Sequence, residues 1–177
     1  MKNDKNRPRG EKNLFVIQKH QATNLHYDFR LSDGDVLISW AVPKGLSTAA
    51  NEKRLAISTD DHPMDYADFE GVIPEDEYGA GTVMVWDNGE YELIGEDADK
   101  SLRKALKDGS FKFELHGQKL AGGYAMIRMD KKGDQEEWLI FKLDDSNADG
   151  RRNPESTQPD SVLTDRSLED IRRESAK

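Results

Sequence analysis

The sequence predicts a mainly β protein, an antiparallel barrel or sandwich with a few short helices. Short segments in which apolar and polar residues alternate are typical of half-buried strands, and they recur along most of the chain. Turn-forming residues separate these segments at short intervals, and only one convincing amphipathic helix interrupts them before residue 143. Many short strands joined by turns, with little helix, indicate sheets that fold back on themselves.

The first half of the chain contains four of the expected strands, at residues 14–20, 25–31, 36–42 and 54–59. A Ser-Asp-Gly-Asp turn at 32–35 joins the second strand to the third, and its glycine supplies a positive φ. Residues 60–78 form a long polar stretch with two prolines, and loops of this length are usually functional or disordered.

The second half is predicted to contain a hairpin, a helix and three further strands. The Asp-Asn-Gly sequence at 87–89 is a strong hairpin signal between strands at 82–86 and 90–94. A helix is expected at 98–107, where Leu102 and Leu106 share a face and Gly109 is a C-terminal cap. The last strands are expected at 110–115, 124–129 and 138–143, with a Lys-Lys-Gly turn at 131–133.

The chain is expected to divide into three parts: a flexible arm at 1–13, a barrel domain at 14–143, and a tail at 144–177. The tail is rich in Asp, Asn, Arg, Pro and Ser, which is typical of a linker. Ser167-Leu168-Glu169-Asp170 matches a capping box, so the tail is expected to include a short helix.

Composition limits the class of protein. No cysteine is present among the 177 residues, which excludes disulfides and thiolate zinc sites. We expect a cytoplasmic protein that does not engage membranes, because no apolar run is long enough to span a bilayer and no signal-peptide pattern opens the chain. The net charge of -9 is uneven, since residues 1–54 carry ten Lys/Arg and six Asp/Glu, whereas residues 60–99 carry fourteen Asp/Glu and no Lys or Arg. An enzyme that acts on a nucleic-acid end needs only a local positive site, so this balance is compatible with such a substrate.

The most informative motif is His26-Tyr27-Asp28-Phe29-Arg30. In a strand, His26, Asp28 and Arg30 point to one face, whereas the intervening aromatic residues suit a core. His20 can complete a set of two histidines and one carboxylate, which is able to hold a divalent metal and leave coordination positions open. Solvent-exposed histidine and aspartate on a strand are also common, and that is the plainer interpretation. Arg30 in the same row favours the metal site, because its planar fork matches the oxygens of a phosphate next to the metal.

Other candidates have plainer alternatives. His62, in Asp60-Asp61-His62-Pro63, is either an exposed loop residue or a phosphate contact and general acid. Tyr66 either donates to the same phosphate or anchors the loop. Lys44 and Arg54 are either solvated charges or further phosphate ligands. The glycine-rich patterns of ATP and dinucleotide sites are missing from the sequence, so binding of those nucleotides is not expected.

Several strings of residues resemble the 3′-phosphoesterase family, the end-healing module of bacterial ligase D, which also occurs as a free-standing protein. The resemblance extends from about residue 15 to 143, and the segment 159–170 is similar to the one that joins this module to a ligase domain. The strings are 15–20 (FVIQKH), 25–30 (LHYDFR), 39–45 (SWAVPKG), 61–63 (DHP), 65–74 (DYADFEGVIP) and 77–87 (EYGAGTVMVWD).

The resemblance implies a compact antiparallel β-barrel with a crescent-shaped groove and a manganese-dependent enzyme, although other divalent metals are also compatible. Such enzymes remove a terminal 3′ ribonucleoside and then the 3′-phosphate from a DNA or DNA/RNA primer-template, alongside a DNA ligase and polymerase in cis or in trans. Carried over by motif, the metal ligands are His20, His26 and Asp28. The phosphate-binding or catalytic residues are Gln18, Arg30, His62 and Tyr66, with Lys44 and Arg54 tied more to the phosphatase step.

The resemblance is incomplete at the N-terminus. The arginine and acidic residues that the family often contributes from an N-terminal segment are not recognisable in residues 1–13. Two other functions remain open at this point. One is a non-catalytic module that tethers a ligase complex to DNA ends, and the other is a non-haem iron oxygenase, whose metal is held by the same ligand types.

Overall fold

The computed structural model describes residues 13–129 and 135–176, and strands account for most of its regular structure. The strands are β1 (Leu14–Gln21), β2 (Leu25–Asp33), β3 (Val36–Val42), β4 (Arg54–Pro63), β5 (Gly71–Ile73), β6 (Gly81–Leu93), β7 (Ser110–Gly117), β8 (Ala121–Arg128) and β9 (Glu137–Lys142). The helices are α1 (Leu102–Asp108), α2 (Pro154–Thr157) and α3 (Leu168–Ser175), with short 3₁₀ helices at Met64–Asp68 and Gly95–Asp97.

Eight of these strands form a closed antiparallel barrel. Their order is β1-β2-β3-β4-β9-β8-β7-β6, and pairing between β6 and β1 closes the ring. The three-residue strand β5 lies outside this ring and pairs with the start of β6. The predicted mainly β fold, in its barrel form with a few short helices, is therefore confirmed.

Side chains along β1 and β2 alternate between the barrel core and the opposite face of the sheet. The hairpin between β2 and β3 turns at Gly34, whose φ of 62° fits a glycine, so that Asp33 lies opposite Val36. The alternate residues of β1 and β2 that point inward are almost fully buried in one hydrophobic cluster. Its aromatic members on these and the neighbouring strands include Phe15, Tyr27, Phe29, Trp40 and Trp86.

Two local predictions are wrong. The expected hairpin at 87–89 does not form, because β6 runs without a break from Gly81 to Leu93. Asp87 lies instead at a register shift in the β1–β6 pairing, and its carboxylate accepts hydrogen bonds from the backbone N–H groups of Gln118, Lys119 and Leu120. The 60–78 stretch is not loop throughout, since β4 continues to Pro63 and a 3₁₀ helix and β5 follow.

The helix in the second half begins later than predicted. Ser101 is its N-cap and accepts a hydrogen bond from the Lys104 N–H, so the helix begins at Leu102 rather than at residue 98. Gly109 ends it with a φ of 85°, as the sequence predicts. The predicted turn at 131–133 and most of the predicted N-terminal arm lie outside the described residues.

The residues after the barrel pack against it. The predicted capping box at Ser167 and Asp170 is confirmed and begins α3, whose Ile171 is fully buried. Trp86 donates its indole N–H to the Gln158 carbonyl oxygen, 3.0 Å away. No helix in the described ranges is long and apolar enough to cross a membrane.

Candidate metal centre

The β1–β2 hairpin brings the three predicted ligands together. His20 lies directly opposite His26, and Asp28 is two residues further along the same face of β2. His20 Nδ1 is 3.3 Å from one carboxylate oxygen of Asp28, and His26 Nε2 is 3.1 Å from the other. One ligand atom from each residue can be chosen so that all lie within 4.8 Å of one another. The outer face of the barrel therefore carries a compact set of two imidazoles and one carboxylate.

The hydrogen bonds of the two imidazoles fit a bound cation. The second ring nitrogen of each faces a backbone carbonyl oxygen: His20 Nε2 is 3.1 Å from Ala80 O, and His26 Nδ1 is 3.3 Å from Asn24 O. When those nitrogens donate to the carbonyls, the nitrogens that face Asp28 carry lone pairs, as metal ligands require. Lone pairs pointing at a carboxylate repel it unless a cation lies between them, so the donor set fits a divalent metal.

When the imidazole nitrogens that face Asp28 carry protons instead, both rings donate to its carboxylate. Burial alone would raise the pKa of the Asp28 carboxyl, but hydrogen bonds from His20 and His26 and the charge of Arg30 outweigh it and hold the pKa well below its usual range. The hydrogen bond to Asp28 raises the pKa of His26, and burial only partly offsets this. Asp28 is therefore ionised at neutral pH and provides the negative charge of the site.

Arg30 is buried beside the ligands, with 3% of its surface exposed. Its Nε donates to Gln18 Oε1 at 2.7 Å and its Nη1 to Ser39 Oγ at 2.9 Å, while Nη2 lies 3.6 Å from an Asp28 oxygen. These partners fix the plane of the guanidinium before any substrate binds. A buried, oriented arginine next to a metal set is well suited to bind a phosphate.

His62 and Tyr66 lie on the other side of Arg30. His62 Nδ1 is 2.9 Å from the Asp60 carbonyl oxygen and 3.2 Å from Arg30 Nη1. The shorter contact favours an Nδ1–H that donates to the Asp60 carbonyl oxygen. Burial lowers the pKa of His62, and the charge of Arg30 lowers it further. The Tyr66 ring lies 5.1 Å from the Arg30 guanidinium carbon and 4.8 Å from the His62 ring.

These side chains surround one open cleft of about 460 Å³. Its lining includes all three candidate ligands as well as Arg30, His62 and Tyr66. Gln18 lies beneath it, where its side-chain amide donates to the carbonyl oxygens of Tyr66 and Phe69 at 2.9 and 3.2 Å. The structure therefore brings seven of the nine predicted site residues together.

Lys44 and Arg54 are not among the residues that line this cleft. Arg54 donates to the backbone carbonyl oxygens of Lys44 and Gly45 at 2.6 and 3.2 Å, and it pairs with Glu52 at 2.9 Å. Lys44 itself is exposed. In this arrangement Arg54 holds the turn after β3, and the roles predicted for both residues in the phosphatase step stay predictions.

Two contributors to the site were missed from the sequence. Ser39 accepts a hydrogen bond from Arg30, and the two-residue turn at Gly34 and Asp35 would have predicted it, since that turn places Arg30 opposite Ser39. Ala80 contributes only a backbone carbonyl, and the sequence carries no signal for its contact with His20.

The fold and the site together define a class of protein. It is a closed β-barrel whose outer face carries a candidate metal site of two histidines and one carboxylate beside a buried arginine. Comparison with known families makes the class specific, because residues 18–128 match the model of the DNA ligase D 3′-phosphoesterase domain. The chain belongs to this family, which is a family of hydrolases.

Similar proteins include multifunctional non-homologous end joining proteins LigD. The one from Pseudomonas aeruginosa is 44% identical over 156 residues, which is 87% of this chain and 18% of that protein. The one from Mycobacterium bovis is 47% identical over 134 residues, or 76% of this chain and 16% of that protein. The one from Mycolicibacterium smegmatis is 42% identical over 140 residues, or 77% of this chain and 18% of that protein. The chain thus spans less than a fifth of the length of these relatives.

Proposed function

We propose that this chain is a metal-dependent phosphoesterase that processes DNA 3′ ends. It would remove a 3′-terminal ribonucleoside, a 3′-phosphate or both, and leave a 3′-hydroxyl for repair and ligation. The observation that carries this proposal is the convergence of His20, His26 and Asp28 beside the buried Arg30. Membership of the 3′-phosphoesterase family supports the same reaction class.

The cofactor that we propose is Mn²⁺, held by His20, His26 and Asp28. These three residues would hold the ion, which would supply Lewis-acid polarisation of a phosphoryl oxygen and a more acidic water. Other hard or borderline divalent ions suit two imidazoles and a carboxylate as well. The proposed partners are a DNA or DNA/RNA primer-template end and a DNA ligase and polymerase, in cis or in trans, inside the cell. The names of the relatives, which refer to non-homologous end joining, support a DNA end as substrate.

The chain's own residues have separate roles in this mechanism. Arg30 collects negative charge on the non-bridging phosphate oxygens, and its bonds to Gln18 and Ser39 keep it oriented. His62, once protonated, stabilises the same charge or gives its proton to the leaving oxygen. Burial raises the pKa of Tyr66, so its hydroxyl remains a donor at neutral pH. Lys44 and Arg54 do not line the cleft, and the part in the phosphatase step proposed for them rests on the family resemblance alone.

A primer-template that ends in one ribonucleotide, labelled at its 5′ end, tests the proposal. We expect shortening and dephosphorylation in the presence of manganese and neither in its absence. His26→Ala removes one ligand and should abolish both manganese binding and conversion. The matched control is His116→Ala. His116 is exposed on β7 and does not line the cleft, but with Glu92 and Glu114 it forms a second group of possible metal ligands, so this variant reports any manganese held there and should leave conversion unchanged.

The same experiment separates the alternatives. A gel shift without conversion would support a tethering module and contradict the enzyme. Tight, stoichiometric manganese in His26→Ala would remove His26 from the ligand set. Oxygen uptake with iron and a 2-oxo acid, in place of end processing, would favour an oxygenase.

A further inference from the structure

Glu70 is a buried carboxylate close to the site, and none of the roles above uses it. It follows the 3₁₀ helix that carries Tyr66, and its side chain is 4% exposed. A carboxylate this deeply buried needs several donors, because desolvating an unpaired charge is costly. Its donors identify what holds the Tyr66 segment in place.

Four groups donate to Glu70, and three of them belong to the C-terminal tail. They are the Val85 N–H at 2.8 Å, the Ser161 hydroxyl at 2.5 Å, the Thr164 hydroxyl at 2.8 Å and Arg166 Nη2 at 3.2 Å. The tail also bonds to β6, because the Val162 N–H donates to the Val85 carbonyl oxygen at 3.0 Å. Residues 161–166 therefore close over Glu70, and we call residues 70 and 161–166 the tail clamp.

The segment between His62 and Glu70 is held from both sides. The Gln18 amide binds the carbonyl oxygens of Tyr66 and Phe69 from the barrel, while the clamp holds the next residue from the tail. The Phe69 ring stacks on Tyr66 at 5.0 Å, and Tyr66 in turn lies against Arg30 and His62. A shift of Glu70 would therefore move the groups that face the phosphate without touching the three metal ligands.

We propose that the tail clamp is a positioning device for the active site: residues 161–166, through Glu70, fix Tyr66 and His62 against Arg30. Its effect on catalysis rests on the proposed function. Displacement of reacting groups by about 1 Å can cost about 100-fold in rate, so partial loosening of the clamp should be visible in turnover. The tail is then part of the catalytic unit rather than a spacer beyond it.

The test removes clamp donors that are exposed or half-buried, so that folding is preserved. In the double variant Thr164→Val/Arg166→Gln, we expect kcat on a 3′-phosphate end to fall about tenfold, with manganese affinity unchanged within about twofold. Arg172→Gln is the matched control, because exposed Arg172 pairs with Glu169 on α3 and not with Glu70. Unchanged kcat in the double variant, or an equal loss in the control, would overturn the proposal.

Two further readouts distinguish positioning from general stability. First, the clamp variant and Tyr66→Phe should be non-additive in kcat, since the clamp acts in part through the Tyr66 hydroxyl; full additivity would contradict the clamp. Second, amide hydrogen exchange should rise in peptides that cover residues 64–70 and not in those that cover β1 and β2. This exchange measurement does not depend on turnover, so it tests the clamp even in a protein without activity. A lack of phosphoesterase activity in the wild-type protein would refute the proposed function only.

Discussion

At the scale of single residues, the site is built from groups whose orientation is fixed by partners other than substrate. Asp28 binds both histidines, Arg30 is held by Gln18 and Ser39, and His62 faces the Asp60 carbonyl. Such preorganisation avoids the cost of reorienting dipoles during the reaction. Each group can therefore be tested separately for binding of metal and for turnover.

His62→Ala should separate these two functions. His62 is not one of the three clustered ligands, so manganese affinity should stay as in the wild type. Turnover should fall by about 10²–10³, which is the usual cost of removing one donor from a developing charge. Calorimetric titration with manganese and single-turnover assays measure the two quantities. Wild-type turnover in this variant would exclude the proposed role.

The pH dependence follows from the lowered pKa of His62. Because burial and Arg30 depress that pKa, the protonated ring of the free protein is lost as pH rises through a value below about 6.5. At saturating manganese, kcat/KM should therefore decline as pH rises through this lowered pKa. The decline in kcat should occur at higher pH, because a bound phosphate stabilises the imidazolium. His62→Gln carries no titrating group and should lack this limb. An identical limb in His62→Gln would assign the titration to another group.

At the scale of elements, the local sequence pattern was sufficient to predict the strands and their faces where short turns join the strands. Alternation placed His26, Asp28 and Arg30 on one face of β2, and the β1–β2 pairing puts His20 directly opposite His26. The local pattern predicted a hairpin wrongly within β6, because pairing with β1 on one edge and β7 on the other overrides the Asp-Asn-Gly turn signal. The 64–80 segment was also beyond prediction, since its position depends on distant partners such as Gln18 and Ser161.

The β6 error leads to a prediction about Gly89. A Cβ atom at this position would lie 2.0 Å from the His116 carbonyl oxygen. A glycine is therefore needed here so that β6 and β7 can lie close together, and not to form a turn. Gly89→Ala should force β6 and β7 apart and lower the free energy of unfolding by about 3 kcal/mol. Urea unfolding measures this change. Gly150→Ala is the control, since its new Cβ would meet only Ala49 at an ordinary 3.5 Å, and equal midpoints for the two variants would contradict the argument.

At the scale of the whole molecule, charge limits how nucleic acid can be bound. The net charge is -9, and fourteen acidic residues lie between residues 60 and 99, the segment that includes His62 and Tyr66. A protein that coats duplex DNA neutralises many phosphates, and its affinity falls steeply with salt. Here the buried Arg30, together with the divalent ion proposed beside it, would supply positive potential in the cleft.

This distribution predicts recognition of an end rather than of a duplex. Binding that involves about two phosphates gives a slope of about -2 for the logarithm of affinity against the logarithm of salt concentration, whereas ten phosphates would give about -9. We therefore expect KM for a 3′-phosphorylated primer-template to rise about tenfold between about 50 and about 200 mM salt, whereas contact with ten phosphates would raise it about 10⁵-fold. KM should also be the same for a short and a long duplex that share one 3′ end. A steep slope together with tighter binding of the long duplex would show that surface outside the cleft contacts the DNA backbone, and the end-only mode would then be wrong.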